Sequence, residues 1–428
     1  MIIALKNFLK DPLFKIDIYF FSILIILLPI ALITGPAVPD IIISIIGLYF
    51  LINSIKKKLW NYYKNIFVYG FFLFCLYSFL RSIFSDLPIV SLTNNGSIFY
   101  FRYLFFVLGF WYLIDQNKKL SKYLLYSILI CCFIVVADGF YQYFVGVNIF
   151  GNQKWSADRL TGLFGDEPII GRYVAYLSIL AFVLIYQVFH TTKIVTILSI
   201  LLLVISEIFV FFSGERAPFF YLTFFSILIL IYIEEFRMYR ILGFIISIVV
   251  IFSIIYYNPT AKERMIDTTI NQINETQLPY LPYSELHERH YVSAFKMFSQ
   301  NPIFGVGTNL FRNLCEKKDF QYKKGSCTSH PHNFYIQLLA ELGIIGFLFL
   351  TSFFMVLIIL MIKQFFNLHL NTKREKINFK NFLIILILFV FWWPLIPHMS
   401  FYNNWNNIFL MLPVSYFLKY FYGNRFNF

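Results

Sequence analysis

Long apolar runs constrain this sequence more than any other feature. Stretches of roughly 18 or more mostly apolar residues recur from Ile16 onward, and each is long enough to cross the hydrocarbon core of a bilayer as a helix. A soluble domain does not need so much apolar surface, because one hydrophobic core stops growing near about 250–300 residues. Here 59% of the 428 residues are hydrophobic. The sequence therefore predicts an all-α, polytopic integral membrane protein.

We predict about twelve transmembrane helices, separated by turns that carry Gly, Pro, Asn or charge, such as Gly35-Pro36, Asn94-Asn95-Gly96 and 115–119. The predicted spans are 17–34, 39–55, 65–83, 97–114, 121–145, 169–189, 193–212, 218–233, 240–257, 333–362, 381–397 and 406–420. They divide the chain into nine spans over 1–257, one larger loop over 258–332, and three spans over 333–428.

The basic residues are distributed unevenly along the chain. Of the 35 Lys and Arg, 20 lie in the two tails and the even-numbered connections, and nine of the other 15 lie in the one long loop. Long loops count little in the positive-inside rule, so both termini are predicted to be cytoplasmic. The long loop then faces outward, into the periplasm if the cell has two membranes. The net charge of +13 reflects this orientation, and we expect no nucleic-acid partner.

The five cysteines fall into two groups. Cys75, Cys131 and Cys132 lie in predicted spans, where cysteine usually serves as a small apolar residue. Cys315 and Cys327 both lie in the outer loop, twelve residues apart, and an oxidising compartment favours a disulfide between them. A metal site is the alternative, but two cysteines and a nearby histidine lack the usual ligand spacing.

Several arginines lie on the outer side, where the positive-inside rule disfavours them. At or just inside the ends of spans are Arg81, Arg102, Arg172 and Arg216, whereas Arg159 lies in a short loop and Arg289 in the long one. A charge at membrane depth is costly and usually faces a cavity or a partner. The planar guanidinium binds phosphate oxygens in pairs, so the group suggests an anionic, phosphate-bearing ligand.

The alternative is that these arginines reach lipid headgroups or pair with nearby carboxylates. Arg216 is the strongest functional candidate. In "SGERAPFF" one span ends and the next begins at once, so no loop can carry this side chain away from the membrane.

The stretch "SHPHNFYIQLLAELGIIGF" places His332 directly before a predicted span. Histidine titrates near neutral pH, so at this position it can exchange a proton with a lipid-borne group. A surface histidine without function is the alternative, and His330 is the weaker candidate of the two. At 100° per residue, His332, Gly343 and Gly346 share one helix face, and the glycines would let another helix approach closely.

Two glutamates lie inside predicted spans, Glu341 in the stretch above and Glu207 in "SEIFVFFSGERAPFF". An intramembrane glutamate usually has a partner and a role. We expect Glu341 to form a structural ion pair with an arginine of a neighbouring span, and Glu207 to do the same. A transporter, in which both carboxylates line a proton or substrate path, is a second reading. A structural scaffold of an export complex is a third, and in it none of these residues matters singly.

Four stretches together resemble the O-antigen ligase and polymerase superfamily, and they occur in the order found in that family. They are "RLTGLFGDEPIIGRYVAY", "SGERAPFF", "ERHYVSAFKMFSQNPIFGVGTNLF" and "SHPHNFYIQLLAELGIIGF". The resemblance implies a membrane glycosyltransferase of the C type in the bacterial inner membrane. Its donor would be an undecaprenyl-diphosphate-linked glycan, and its site would face the periplasm among membrane lipids.

The resemblance leaves two acceptors open. A ligase would use a lipid A–core sugar, and a polymerase would use the next undecaprenyl-linked repeat. We favour the ligase because the outer loop is single and modest in size.

The residues indicate a division of roles. Arg216 and Arg289, with Arg172 and Arg159, would hold the diphosphate, and His332 would accept the proton of the acceptor hydroxyl. Asn333, Glu341 and Glu207 are expected to have structural or supporting roles. The outer side carries no Asp-x-Asp motif, and its nearest acidic pair is Asp166-Glu167. We therefore expect a reaction without metal or other cofactor. Direct attack by the acceptor would invert the anomeric centre.

Overall fold

A computed structural model describes residues 2–93, 97–274, 283–369 and 377–423. Several features named above lie outside the described residues. These are the turn at Asn94-Asn95-Gly96, residues 275–282 of the long loop, and the basic residues Lys373, Arg374, Lys376 and Arg425.

The described chain is built of α-helices. The first ten helices are α1 (Ile2–Ala31), α2 (Ala37–Lys56), α3 (Ile66–Ile83), α4 (Pro88–Thr93), α5 (Ser97–Gln116), α6 (Leu120–Val145), α7 (Ile170–Val188), α8 (Lys193–Phe212), α9 (Arg216–Tyr232) and α10 (Arg237–Tyr257). The long loop carries α11 (Pro259–Lys262), α12 (Thr268–Asn274), α13 (Glu285–Gln300) and α14 (Phe311–Leu314). The chain then continues with α15 (Phe334–His369), α16 (Phe379–Phe391) and α17 (Asn404–Tyr422).

Nine helices within the described ranges are long and apolar enough to cross a membrane. Two apolar helices are shorter, α9 with 17 residues and α16 with 13 residues, and α17 has 19. Together with the nine longer helices, these three match the roughly twelve spans that the sequence predicts. The all-α membrane architecture is confirmed. We call the end of this bundle that carries α11 to α14 the loop end.

One predicted element boundary is wrong for an identifiable reason. The span predicted over 381–397 ends at Phe391, because Pro394 and Pro397 cannot continue a helix. As a result, residues 392–403 form an irregular connection between α16 and α17 at the loop end. In the long loop, α13 starts at Glu285, where the Ser284 hydroxyl accepts a hydrogen bond from the His287 amide at 3.4 Å.

Helix α7 lies at the centre of the bundle. It packs against α6, α8, α9 and α16, and most of its side chains are buried, from Ile170 to Tyr186. Helices α16 and α17 are similarly enclosed, whereas α10 has few buried residues. In the first turn of α7, Ile170, Gly171 and Tyr173 are buried and Arg172 is half-buried.

The helix α15 is broken at Gly343, which has φ +64° and ψ −161°. The loop 302–307 lies in the break, and three backbone hydrogen bonds join the two: Val306 N to Ala340 O at 3.0 Å, Gly307 N to Glu341 O at 2.8 Å, and Ile344 N to Pro302 O at 2.9 Å. A Cβ atom on Gly343 would lie 2.3 Å from the Ile303 carbonyl oxygen. The prediction that a second helix approaches here is therefore wrong, because an extended loop takes that place.

Glu341 fastens this loop through its carboxylate. The two oxygens accept hydrogen bonds from the backbone N–H groups of Asn309 at 2.9 Å and Phe311 at 3.0 Å, and the amide nitrogen of Gln337 lies 3.4 Å from each. The expected ion pair is wrong, since no salt bridge of Glu341 occurs among the described residues. Backbone donors that the turn leaves unpaired take the place of the arginine.

Glu207 likewise has hydroxyl partners instead of an arginine. Its carboxylate accepts hydrogen bonds from Ser226 at 2.5 Å and from Ser247. These bonds connect α8 with α9 and α10. Both buried glutamates are thus occupied by local partners, which disfavours the reading in which they line a transport path.

Two of the arginines predicted to lie on the outer side are also structural. The guanidinium of Arg81 donates to the Gly305 carbonyl at 2.7 Å and to the Phe84 carbonyl at 2.6 Å. Arg102 pairs with Asp40 at 2.9 Å. We call loop 302–311, the break at Gly343 and the Arg81 and Glu341 side chains that hold the loop the Glu341 region.

Candidate functional site

His332 lies at the entrance to α15, in a backbone conformation unusual for a residue with a side chain. Its φ is +56°, a left-handed value that costs a non-glycine residue roughly 1–2 kcal/mol. The next residue, Asn333, caps the helix, because its side-chain oxygen accepts from the amides of Tyr335 at 3.0 Å and Ile336 at 3.2 Å. The Asn333 amide group donates to the Pro394 carbonyl at 2.8 Å. The helix cap and the hydrogen bond to Pro394, both made by Asn333, fix the backbone position next to His332.

Four imidazoles surround this point, and we call them the histidine cluster. The ring centre of His332 lies 4.2 Å from that of His330, 5.4 Å from that of His290 and 5.5 Å from that of His287. His287 and His290 come from one face of α13. His398, in the 392–403 connection, supports the group through its backbone. Its amide donates to the His332 carbonyl at 2.7 Å.

The tautomers of two rings follow from their partners. The Nε2 atom of His330 lies 3.2 Å from the His398 carbonyl oxygen, which can only accept, so Nε2 carries the proton. The other nitrogen then accepts from the Ser329 hydroxyl at 2.8 Å. By the same argument Nδ1 of His290 donates to the Ser326 carbonyl at 3.1 Å. His290 therefore keeps a lone pair on Nε2.

All four histidines are held in the neutral form. Burial lowers the pKa of His332 to about 2, helped by the other three rings and the charge of Arg172. Burial also lowers the pKa of His330 to about 3 and that of His287 to about 4, and it lowers the pKa of His290. The cluster therefore offers unprotonated imidazole nitrogens at neutral pH, which is the state that can accept a proton.

An arginine cluster adjoins the histidines, and we define it as Arg159, Arg172, Arg216 and Arg264. The chain segments that carry these residues converge at the loop end. Leu160 N donates to the Ser213 carbonyl at 3.3 Å, and Arg264 Nε to the Gly214 carbonyl at 3.3 Å. The positive charge of Arg172 acts on His330 and His332, and that of Arg216 acts on His287. The two clusters therefore form one site.

Much of the hydrogen-bonding capacity of this cluster is unused. Arg216 donates once to Gln272 at 2.7 Å, but its Nε and second terminal nitrogen are buried and have no partner among the described residues. The same holds for Nε of Arg159 and one terminal nitrogen of Arg172. Buried donors are normally satisfied, so unpaired ones in a charged group indicate a missing anionic ligand.

The carboxylates nearby only partly offset this charge. Glu215 is buried, and its carboxylate accepts from the amide of Gly171 at 2.5 Å, at the start of α7. Burial raises the pKa of Glu215 to about 7, although Arg172, the amides and Arg159 lower it. Burial lowers the pKa of Arg159, and the charges of Arg264 and Arg172 act in the same direction. The cluster as a whole keeps an excess of positive charge.

Arg289, predicted to share the diphosphate with Arg216, lies on a different face of α13 from His287. Its guanidinium pairs with Glu285 at 2.7 Å and donates to the Lys324 carbonyl at 2.9 Å. Asp166 and Glu167 are exposed. In the ranges that the structure describes, no group of three or more His, Cys, Asp or Glu side chains is arranged to hold a metal ion.

Several residues of this site are not among those predicted from the sequence. A signal existed for His287 and His290, because a spacing of three places both on one helical face. Neither Arg264 nor His398 has a local signal, since each reaches the site through a contact between distant segments.

Cys315 and Cys327 are joined by a disulfide, with Cα atoms 5.1 Å apart. The sequence favours the same pair. Cys315 belongs to a small apolar core with Phe311, Leu314 and Met297. The bridge thus closes the loop that follows the Glu341 region and ends just before His330.

Comparison with known proteins gives one family. A search of curated proteins found no match to the chain. A family model described as O-antigen ligase matches residues 197–351, which include Arg216, the histidine cluster and all of the Glu341 region except Arg81. With its apolar helices, this match indicates a multi-pass bacterial membrane protein. Three of the four stretches that resemble the O-antigen ligase and polymerase superfamily lie within the matched residues, and over 197–351 the match confirms that resemblance.

Proposed function

We propose that this protein is an O-antigen ligase-like glycosyltransferase of the inner membrane. It moves a glycan from undecaprenyl diphosphate to a lipid A–core sugar on the periplasmic face. One observation carries the proposal: the unpaired guanidinium donors of the arginine cluster lie beside neutral imidazoles at one end of a membrane bundle. The first group suits a diphosphate and the second suits a hydroxyl that must lose a proton.

In this reaction the acceptor oxygen attacks the anomeric carbon of the donor, and the bond from that carbon to the diphosphate oxygen breaks. Direct displacement inverts the anomeric centre. Arg216, Arg172 and Arg159 stabilise the negative charge that develops on the leaving diphosphate. The hydroxyl proton passes to the neutral His332 ring. Bound diphosphate offsets the field of Arg172, which raises the pKa of His332 and makes it a better base.

Arg289 remains a predicted diphosphate ligand in this proposal. Its present contacts are with Glu285 and Lys324, and the guanidinium would have to leave them to reach the donor. Asn333 supports the reaction by fixing the backbone before α15, and Glu341 and Glu207 support the fold.

The direct test uses purified protein in nanodiscs with an undecaprenyl-diphosphate-linked glycan and a lipid A–core acceptor. We expect Arg216→Ala to abolish transfer, and His332→Ala to lower kcat by about 10²–10⁴-fold with a smaller change in donor binding. Full activity of a variant that carries both Arg216→Ala and His332→Ala would refute the roles assigned to these two residues. Activity lost in EDTA and restored by Mg²⁺ would give the leaving-group role to a metal.

The orientation and the acceptor each need their own measurement. A membrane-impermeant thiol reagent should label Lys318→Cys in intact spheroplasts and leave Lys57→Cys unlabelled, and the reverse pattern would invert the protein. In a deletion strain, a missing ligase leaves bare lipid A–core while polymer accumulates on undecaprenyl diphosphate. Core capped with a single repeat would instead identify a polymerase.

A further inference from the structure

A segment of the long loop crosses the arginine cluster at two points. This segment, residues 259–274, comprises α11, α12 and the short π-helix between them, Glu263–Asp267, and we call it the strap. At one point Gln272 accepts a hydrogen bond from Arg216 at 2.7 Å. At the other, Arg264 lies 3.5 Å from an Asp158 oxygen and donates to the Gly214 carbonyl at 3.3 Å. Met265, between them in sequence, is buried and anchors the strap.

The contact between Arg264 and Asp158 is loose. Charge-assisted hydrogen bonds between guanidinium and carboxylate groups are usually about 2.7–2.9 Å long, and this one measures 3.5 Å. The Asp158 carboxylate also accepts from the Ser156 hydroxyl at 2.5 Å, which draws it toward its own loop. The Arg264 side chain is 23% exposed. A nearby anion that binds more strongly can therefore replace Asp158 as the partner of Arg264 with little loss of free energy.

The charges around Arg264 favour such an anion. The cluster holds four guanidinium groups, and the carboxylates beside them are Asp158 and Glu215. Glu215 is committed to the amide of Gly171. Arg264 and Arg159 both act on Arg216 as like charges. A diphosphate has two phosphate groups, more than the free donors of Arg216 alone can pair with bidentately.

We propose that Arg264 is a further diphosphate-binding residue, which exchanges its contact with Asp158 for the phosphate oxygens of the donor. The inference rests on the proposed function, since it concerns the same donor. It assigns the strap a part in substrate binding, with Gln272 holding Arg216 in place and Arg264 closing the other side of the diphosphate.

The test measures binding of undecaprenyl diphosphate without a glycan to the full-length protein in nanodiscs. Arg264→Ala should weaken binding about 10- to 100-fold, the loss typical of a charged hydrogen-bonding group. Arg264→Lys should recover only part of it, since ammonium lacks the two-pronged contact. Lys262→Ala is the matched control. It removes the same charge from the same strap, at a side chain that is 52% exposed and directed to Asp267, and it should leave binding within about twofold.

The outcomes separate this inference from the proposed function. Normal binding by Arg264→Ala, together with lost binding by Arg216→Ala, would overturn the role of Arg264 alone. Wild-type protein that binds no undecaprenyl diphosphate would overturn the proposed function itself. An equal loss in Lys262→Ala would reduce the effect to general charge and also count against Arg264. If Arg264→Ala fails to fold, Arg264→Lys and Arg264→Gln make the same comparison.

Discussion

The arginine cluster and the Glu341 region lie at the same end of the bundle and are built from similar residues, yet they differ in how fully those residues are paired. Arg81 and Glu341 direct their charged groups at backbone carbonyls and amides. Arg159, Arg172 and Arg216 keep buried nitrogens without a partner among the described residues. The charged groups of the Glu341 region are hydrogen-bonded within the fold, whereas the arginine cluster retains unpaired donors.

This difference shows that a charge at membrane depth does not by itself mark a functional site. Both regions meet that description from sequence, and Glu341 is the more deeply buried example. The distinguishing property is the unused hydrogen-bonding capacity, because a satisfied charge stabilises the fold whereas an unsatisfied one is stable only if a ligand or solvent completes it.

The largest expected effect comes from exchanging arginine for lysine in each region. Arg216→Lys should lower kcat/KM by about 10²–10³-fold and leave Tm nearly unchanged, because it removes phosphate contacts that the free protein does not use. Arg81→Lys should lower Tm while transfer per folded molecule stays near that of wild type. Glycan transfer and thermal unfolding, measured on the same samples, check this. The opposite pattern would break the comparison.

Removing the disulfide tests the folded region by another route. Cys315→Ser with Cys327→Ser should destabilise the loop end by about 2–4 kcal/mol, through the greater freedom of the unfolded loop. Donor binding should persist, since no residue of the arginine cluster lies in the closed loop. Non-reducing mass spectrometry should find the joined peptides in wild-type protein, and two alkylatable thiols there would refute the pairing.

The two buried glutamates give a finer comparison. Glu341→Gln should lower the unfolding free energy by about 1–3 kcal/mol, because the new NH₂ group faces a backbone N–H and two donors then oppose each other. Glu207→Gln should have a smaller effect, since the hydroxyls of Ser226 and Ser247 can accept as well as donate. Equal losses of Tm would show that burial alone, and not the kind of partner, decides the cost.

The last comparison concerns a dependence of stability on pH that belongs to the histidine cluster. These pKa values lie below the ordinary value of about 6.5, so below that pH the unfolded chain binds protons that the folded chain does not. Stability should therefore be full above pH 6.5 and fall as the pH drops, by at most about 1.4 kcal/mol per pH unit for each histidine. His287→Asn should flatten the fall in Tm between pH 6.5 and 4.5. His190→Asn is the control, because residue 190 is exposed and lies beyond the C-terminal end of α7, away from the cluster.

The sequence predicts the helices well because apolar length is a local property. The runs that form α2, α6, α8 and α10 can be read without knowledge of their neighbours. The positions of Arg216 between two helices and of His332 before α15 follow from the same runs. Asn333 at the start of a helix is a local cap signal as well.

The remaining features depend on contacts between distant segments. The sequence predicts that Gly343 packs against another helix, because it does not reveal that the loop around Gly305 enters the break in α15 there. A Cβ atom on Gly305 would lie 2.3 Å from the Glu341 carbonyl carbon, so the two glycines work as a pair 38 positions apart. Arg264 and Asp158 meet across an even longer separation. The sign of their charges alone does not identify which residues Arg264 and Asp158 contact.

The left-handed backbone of His332 has a consequence for anyone who engineers this protein. Glycine would adopt φ +56° without penalty, so His332→Gly should raise the thermal stability while it removes the proposed proton acceptor. A selection for heat resistance would therefore favour replacing the side chain that the proposed chemistry needs. Stability screens on this scaffold should hold position 332 fixed, since improvement there would trade catalysis for a more relaxed chain.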